Sequence, residues 1–477
     1  MSKPIAQKFS VWTLTSMVVG SMVGAGIFSL PQHFGRATGP FGALVAWTVA
    51  GFGMLMLAFV FLMLSRRKPE LDAGIFAYAK AGFGHYPGFL SALGYWAAAC
   101  LGNVTYFILI QSTLGAVFPM LGEGNTVAAV LSSSLILWAF HFMILRGIKE
   151  AAVINTIVTI AKIIPIVLFL VLVVLGFQRE IFVANFWGGT AFEWGSIFEQ
   201  VRSTMLVTVF VFMGIEGASV YSRYAKNRND VGIATMLGFV GVLCLLVLVT
   251  VLSYGILLRP DLAALRNPSM AGVLQAVVGP WGAVLVSVGL LISVLGAYLS
   301  WSMLAAEVLY SAARSETMPA FLRKENANKV PSAALWMTNI TVQVFLVLIV
   351  FAEEAFTLAK ELTGSMSLVP YLLVAAYGFK LSVSGATYGP AEDGQRRVDR
   401  IRSVLATVFA VWLLYAGGLK YLLLSAVLYG PGSLLFIITR REQGKQTFTP
   451  LEWLLFGAAM LGAGAAVYGL ISGSITV

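Results

Sequence analysis

The sequence is dominated by long apolar runs, each about as long as a helix that crosses a membrane. Such a helix needs about 20 consecutive, mostly apolar residues. Strands of a membrane β-barrel alternate apolar and polar residues instead, so a barrel is excluded. The chain is therefore predicted to be an all-α polytopic membrane protein. Thirteen runs qualify as spans, at roughly 11–31, 40–64, 84–118, 126–145, 152–177, 200–222, 232–257, 277–312, 333–351, 362–380, 402–418, 419–439 and 452–472.

The composition excludes several classes of protein. Hydrophobic residues make up 59% of the chain and charged residues only 11%, whereas about 25% of the residues of an ordinary soluble domain are charged. A soluble enzyme, a secreted disulfide scaffold and a nucleic-acid binder are therefore not expected. Both cysteines, Cys100 and Cys244, lie inside apolar runs, and the three histidines are scattered. No metal site, cofactor or nucleophile–base pair is predicted, and so no enzyme.

Positive charge is distributed asymmetrically. If the N-terminus is inside and the spans alternate, 23 of the 31 lysines and arginines fall in inside segments and 6 in outside segments. Positively charged loops mark the cytoplasmic side, so the N-terminus is predicted to be inside. The polar loop 391–402 divides a transporter core, 1–390, from C-terminal helices, 391–477. The predicted spans 402–418 and 419–439 are separated only by a Gly-Gly-Leu-Lys turn. Whether the last segment crosses the membrane is left open.

Glycines interrupt two of the predicted spans. Val23–Phe28 in the first span and Phe212–Gly217 in the sixth each hold two glycines, which weaken a helix. Each lies in the leading helix of a five-helix half, 11–177 and 200–380. Because five is odd, the halves would enter the membrane in opposite orientations. This is the five-plus-five inverted-repeat plan of many secondary transporters, with helices 1 and 6 broken. The alternative interpretation is that these glycines only permit close helix packing.

Opening a helix exposes amides at one broken end and carbonyls at the other. The amides around Gly24–Ile27 suit a carboxylate, and the carbonyls of Phe212–Gly214 suit an α-ammonium. The two breaks together therefore predict a site for a zwitterion, without identifying its side chain. The residues of the breaks that are predicted to bind substrate are Gly24, Ala25, Gly26, Ile27, Met213 and Gly214.

Ionisable residues inside membrane spans are costly and need a partner or a function. Glu216 adjoins the sixth-span break; it is predicted to act as a gate or counter-charge, and alternatively it caps freed backbone amides. Lys162 lies deep in the fifth span. It is either a fixed cation in place of a coupling sodium ion, a proton carrier, or a structural ion-pair partner, of Glu307 for example.

Several motifs in this order resemble the amino acid–polyamine–organocation transporter superfamily, specifically its basic amino acid/polyamine antiporters, over roughly residues 8–440. Members of that family have the five-plus-five fold, usually with twelve spans; a thirteenth resembles what some arginine/ornithine antiporters carry. The motifs are Gly24-Ala25-Gly26-Ile27-Phe28 with Leu30-Pro31, Tyr95-Trp96 with Gly102-Asn103, Gly214-Ile215-Glu216-Gly217-Ala218-Ser219, and Leu368-Val369-Pro370-Tyr371.

The resemblance implies further site residues. It places third-span and tenth-span contacts around the substrate, an aromatic at an outer gate and another at a middle gate, and it supports a coupling role for Glu216 and Lys162. Ala25 stands where the family often has Ser, which removes a hydroxyl but leaves the backbone amides. The substrate-binding residues implied in this way are Ala98, Asn103, Tyr106, Phe210, Trp301 and Thr363, with Tyr371 in gating or coupling.

The resemblance also implies a function: exchange of cationic amino acids by alternating access, arginine in for ornithine out, in the bacterial inner membrane. Lysine, histidine, agmatine and putrescine stay open as substrates, and a homodimer stays open as an assembly. One alternative is a proton-coupled symporter of cationic amino acids that uses Lys162. Another is a membrane amino-acid sensor or accessory subunit. The expected partners are the substrates and the lipid bilayer, with no nucleic acid.

Overall fold

The computed structural model describes residues 10–71, 74–147, 151–189, 191–216 and 228–476, and within these ranges the regular structure is helical. Nine of the described helices are long and apolar enough to cross a membrane, or eleven when two bent helix pairs are each counted as one span. The predicted all-α membrane architecture is therefore confirmed. The inverted repeat and the inside position of the N-terminus stay predictions.

The first part of the chain forms the first interrupted helix and the helices that follow it. A 3-10 turn at Ala25–Ser29 joins the two pieces of the interrupted helix. The helices are α1 (Val11–Met22), α2 (Leu30–Ala37), α3 (Pro40–Arg67), α4 (Ile75–Phe83), α5 (His85–Leu114), α6 (Val127–Leu145), α7 (Ala151–Gly176) and α8 (Arg179–Asn185).

The second part begins with a helix that also stops early, and it ends with three helices beyond the predicted core. These helices are α9 (Trp194–Phe212), α10 (Arg228–Ser253), α11 (Arg259–Ala264), α12 (Ser269–Val278), α13 (Pro280–Arg314), α14 (Ser332–Leu348), α15 (Ala355–Ser384), α16 (Asp393–Gly432), α17 (Leu434–Glu442) and α18 (Pro450–Ile471).

The helix α5 lies at the centre of the bundle. Its most apolar 18-residue window is completely buried, whereas only 17% of the corresponding window of α18 is buried. A helix that is apolar on all sides belongs inside a core or in lipid. Accordingly, α5 packs against α13 and α15, while α18 lies at the periphery. The 22 residues of α18 are long enough to span a bilayer.

Both predicted helix breaks are present within the residues that the structure describes. After α1, Gly24 has an extended conformation (φ −112°, ψ −150°), and the two pieces of the helix are bent by 44°. The helix α9 ends at Phe212; Met213 leaves the helical region at ψ 136° and Gly214 has φ +102°, which favours glycine. The rest of the second glycine motif, from Gly217, lies outside the described residues.

The predicted turn between 402–418 and 419–439 falls on a kink. Gly418, with φ 75° and ψ 163°, interrupts the helical run Asp393–Gly432. Since the sixth predicted span, 200–222, runs beyond the described residues, the total of thirteen spans stays a prediction.

Candidate functional site

The two helix breaks meet at one cavity inside the bundle. Ser21, just before the first break, donates its hydroxyl to the Gly214 carbonyl of the second break at 3.0 Å. Helices α5, α13 and α15 complete the wall. The residues that line the cavity are Ser21, Met22, Gly24, Ala25, Gly26, Ala98, Ala99, Gly102, Tyr106, Phe210, Val211, Met213, Trp301 and Thr363.

Most of the predicted substrate-binding residues come together here. The lining includes Gly24, Ala25, Gly26, Ala98, Tyr106, Phe210, Met213, Trp301 and Thr363. Ile27, Asn103 and Gly214 are buried but do not line it. Ser21, Met22, Ala99 and Val211 line the cavity without having been predicted, and Gly102 was part of a family motif but not a predicted site residue. Spacing along α5 would have found Ala99 and Gly102, which lie on the face that carries Ala98 and Tyr106, because residues three and four apart share a helix face.

The first break has opposite electrostatic character at its two ends. On the carbonyl side, the Lys162 ammonium of α7 donates to the Gly20 carbonyl and, at 2.8 Å, to the Val23 carbonyl. On the amide side, the 3-10 turn begins at Ala25 with no side-chain cap. The first amides of such a turn have no partner within it, and they belong to residues that line the cavity, Ala25 and Gly26. A cation therefore neutralises the end that repels a carboxylate, and the end that attracts one stays open.

The glycines of this break allow side chains to pack against the backbone. A Cβ atom added at Gly26 would lie 2.4 Å from Val211 Cγ1 and 3.0 Å from Phe210 Cε1, and one added at Gly24 would lie 3.0 Å from the Tyr106 hydroxyl. An aromatic side chain and a phenol thus cover the bare backbone. Any substrate that binds the amides would touch Phe210 and Tyr106.

Glu216 stabilises the second break. Its Oε1 accepts from the Gly214 amide at 3.2 Å and from the Tyr95 hydroxyl, and its Oε2 accepts from the Tyr371 hydroxyl at 3.1 Å. The contact with Gly214 is the amide cap that the sequence left open as an alternative. The same carboxylate joins α9 to α5 and α15, so a change in its protonation would act on three helices. It does not line the cavity.

Trp301 and Asn103 flank the cavity from α13 and α5. The Trp301 indole lies 6.3 Å from the Tyr95 ring, centroid to centroid, and so links the cavity to the Glu216 network. Asn103 donates from Nδ2 to the Ser302 hydroxyl at 3.2 Å. Its Oδ1 is buried without a hydrogen-bond partner among the described residues. Thr363 donates its hydroxyl to the Ala359 carbonyl of its own helix.

The cavity is small in this conformation. Its volume is about 20 Å³, which is room for about one water molecule. An amino acid can bind only if Phe210, Tyr106 or Trp301 move. A site that has to change shape to admit its ligand suits a protein that opens alternately to its two sides.

Two interrupted helices contribute to one cavity inside a bundle of long apolar helices. This arrangement is that of a secondary transporter. The family model described as amino acid permease matches residues 9–459, and the chain belongs to that family. Its members are transporters and not enzymes. Together with the apolar helices, membership makes the chain a multi-pass protein of the bacterial inner membrane.

Curated relatives match over almost the whole chain. The arginine/ornithine antiporter of Pseudomonas aeruginosa is 54% identical over 100% of both chains. The L-lysine transport protein of Corynebacterium glutamicum is 42% identical, over 98% of this chain and 96% of its own. The arginine/agmatine antiporter of Chlamydia pneumoniae is 41% identical over 91% of both. Amino-acid exchange is therefore the function that the family supports.

Proposed function

We propose that the chain exchanges cationic amino acids across the inner membrane, taking up arginine and releasing ornithine by alternating access. The observation that carries this proposal is that both helix breaks contribute to a single cavity, through Ser21 and Gly214 at 3.0 Å. Two relatives among the most similar are named for arginine exchange, and this supports arginine as one substrate.

The substrate carboxylate binds the amides that follow Gly24, because this helix end has no side-chain cap and Lys162 neutralises the opposite end. The α-ammonium lies towards the carbonyls at the second break. The side-chain cation then extends towards Trp301, whose indole face attracts a guanidinium or an ammonium. Asn103, with an unpartnered Oδ1 next to this wall, accepts from the same cation after a small rotation.

The exchange is electroneutral because one cation enters for each cation that leaves. Exchange without leak requires that the empty carrier rarely reorients. The Glu216 carboxylate ties α9 to Tyr95 and Tyr371, and it opposes reorientation until the substrate supplies compensating contacts. The proposed topology has the N-terminus inside and two inverted five-helix halves, and a homodimer is compatible with it.

The test is counterflow in proteoliposomes that contain the purified chain. Vesicles loaded with labelled arginine are diluted into unlabelled arginine, ornithine, lysine, histidine, agmatine or putrescine. We expect rapid release of label into arginine and ornithine and slow release into buffer. Equal release into buffer would contradict exchange, and release driven only by agmatine or putrescine would replace ornithine as the counter-substrate.

The burial of Lys162 favours one second candidate, proton-coupled symport. Lys162 is 1% exposed, and a lysine that loses its proton would hold the carbonyls of Gly20 and Val23 less strongly, because a neutral amine is a weaker donor than an ammonium. In that mechanism, net uptake follows an imposed proton gradient into vesicles that contain no amino acid. Uptake of this kind, with no dependence on internal substrate, would replace the antiport proposal by symport.

A further inference from the structure

Three ionisable side chains meet on α2 and α15, away from the central cavity. Lys360 Nζ lies 2.8 Å from His33 Nδ1 and 3.8 Å from Glu361 Oε1, and His33 Nε2 lies 3.8 Å from the same Glu361 oxygen. Lys360 is 1% exposed and Glu361 5%. Buried ionisable groups within a membrane-spanning helix are costly and point to a function.

The Glu361 carboxylate accepts no hydrogen bond from the residues that the structure describes. The Lys360 ammonium and His33 Nε2 both lie 3.8 Å from it, beyond hydrogen-bond distance, and no described residue donates a hydrogen bond to it. Lys420 of α16 is a second positive charge that acts on it. An ionised carboxylate has about four acceptor positions, and burying one without hydrogen bonds is unfavourable. Glu361 therefore has positive charges around it and vacant positions for a donor.

This cluster lies between two cavities. A larger cavity, of about 330 Å³, opens where α2 ends and α15 begins, which is the outer end under the predicted topology. On α15, Phe356 and Thr357 line this outer cavity, and Thr363 lines the central one. Phe356 and Thr363 are separated by about 10 Å along the helix, and Lys360 and Glu361 lie between them.

The first break and α2 also lead from one cavity to the other. Gln32 and Arg36 of α2 line the outer cavity, and Gly24 and Gly26 of the first break line the central one. His33 lies between Gln32 and Arg36 in the sequence, so it stands at the level of the outer cavity, where its Nδ1 meets the Lys360 ammonium. The cluster therefore joins the outer-cavity end of α2 to the part of α15 that lies between the residues of the two cavities.

Charge in the outer cavity favours an incoming cation. Arg36 pairs with Glu354 at 3.0 Å and Arg266 with Glu123 at 3.0 Å. Glu353 also lines this cavity and forms no ion pair with a described residue. The lining therefore carries more carboxylates than guanidinium groups, and a field of this sign concentrates cations.

We propose that Glu361 binds the side-chain cation of the substrate transiently as it passes between the outer and the central cavity, and that Lys360 takes its place when no substrate is passing. This inference rests on the proposed function. Ornithine and lysine carry the same terminal ammonium as Lys360, and the arginine guanidinium offers parallel N–H donors that a carboxylate accepts in pairs. Glu361 thereby determines which side chains reach the central site.

The experiment measures exchange rate and equilibrium affinity separately. Arginine counterflow is recorded in proteoliposomes, and arginine binding is measured on the same purified protein in detergent. In Glu361→Gln we expect the exchange rate to fall about tenfold, because one charged contact on the route is lost. The equilibrium Kd is expected to stay within about threefold of the wild type, because the central site is unchanged. Glu361→Asp keeps the charge and should retain most of the rate.

Two further variants keep the test decisive. Glu199→Gln is the matched control: Glu199 pairs with Arg202 on the surface of α9 with 62% of its side chain exposed, and the exchange rate should not change. If Glu361→Gln fails to fold, the double variant Lys360→Met/Glu361→Gln removes both buried charges together and carries the test. It should fold and exchange slowly.

Three results would overturn the inference. The first is wild-type exchange in Glu361→Gln or in the double variant. The second is a Kd that weakens in proportion to the rate, which would put Glu361 in the central site. The third is Glu361→Asp behaving like Glu361→Gln. Wild-type counterflow separates this inference from the proposed function, because a wild-type protein that does not exchange arginine refutes the function itself.

Discussion

Lys162 Nζ lies 2.8 Å from the carbonyl oxygen of Val23, at the point where the first helix opens. It also holds the Gly20 carbonyl, so one ammonium stabilises the last turn of α1. A positive charge is favourable at the C-terminal end of a helix dipole. The break is therefore held in place by a residue that does not line the cavity, and this favours the interpretation of Lys162 as a fixed cation.

Lys162→Met is expected to abolish exchange. Methionine fills the space but leaves two carbonyls without a donor, which costs about 1–3 kcal/mol per unsatisfied group. We expect weaker substrate binding and a lower thermal midpoint for the purified protein. Lys162→Arg should retain part of the exchange rate, since a guanidinium also donates to carbonyls. Full counterflow in Lys162→Met would remove this residue from the mechanism.

Gly26→Ala is expected to lower substrate affinity. Its new methyl group would lie 2.4 Å from Val211 Cγ1, so Val211 or the backbone has to move, at a cost of about 1–3 kcal/mol for overpacking. Equilibrium binding of labelled arginine measures the effect. The control is Gly241→Ala on α10, where an added Cβ meets no atom within 4 Å. Unchanged affinity in Gly26→Ala would mean that the first break tolerates a side chain and is not held closely against α9.

The breaks were predictable because a glycine pattern is a local property: Gly24 and Gly214 mark the positions at which the helices open. Ala98 and Tyr106, which line the cavity from one face of α5, were implied by the resemblance to the antiporter family and not by helix spacing. Ser21 was not predictable in this way. Its role arises from a hydrogen bond to Gly214 across the bundle, and no pattern in the sequence reports which two breaks touch.

The cluster around Lys360 shows a second limit. The tenth predicted span begins at 362, so the sequence places Lys360 just before it, in an outside segment. In the structure α15 begins at Ala355, so Lys360 and Glu361 lie inside the helix and are buried. Apolar windows locate the lipid-facing part of a helix. They miss a charged turn whose side chains pack against another helix, as Lys360 packs against His33.

Tyr371→Phe is expected to slow exchange more than it weakens binding. The change removes one of the donors to Glu216, and a hydrogen bond to a charged group contributes about 1.5–3 kcal/mol. Because Glu216 lies outside the cavity wall, the loss should appear in the rate of counterflow and not in the arginine Kd. Tyr468→Phe is the tyrosine control, because Tyr468 lies on the peripheral α18 and is 73% exposed. A loss confined to the Kd would mean that Tyr371 acts at the substrate instead.

Asn103→Ala is expected to weaken arginine and ornithine binding by about tenfold, because one contact to the side-chain cation is lost. Ser302→Ala is the informative comparison, since it removes the hydroxyl that holds Asn103 Nδ2 at 3.2 Å but keeps the amide. It should reduce affinity less than Asn103→Ala. Equal affinity of Asn103→Ala and the wild type would exclude Asn103 from the site.

Trp301→Leu is expected to bind substrate but to exchange it slowly. The indole lines the cavity and lies 6.3 Å from the Tyr95 ring, which donates to Glu216. The Trp301 indole therefore connects the substrate to Glu216, the residue that stabilises the second break. Leucine keeps the wall apolar but loses the face that attracts a cation and the contact with Tyr95.

The measurement is single-turnover release of labelled arginine, with Trp281→Leu as control because Trp281 is on the same helix and 53% exposed. Wild-type turnover in Trp301→Leu would reduce this tryptophan to a packing residue.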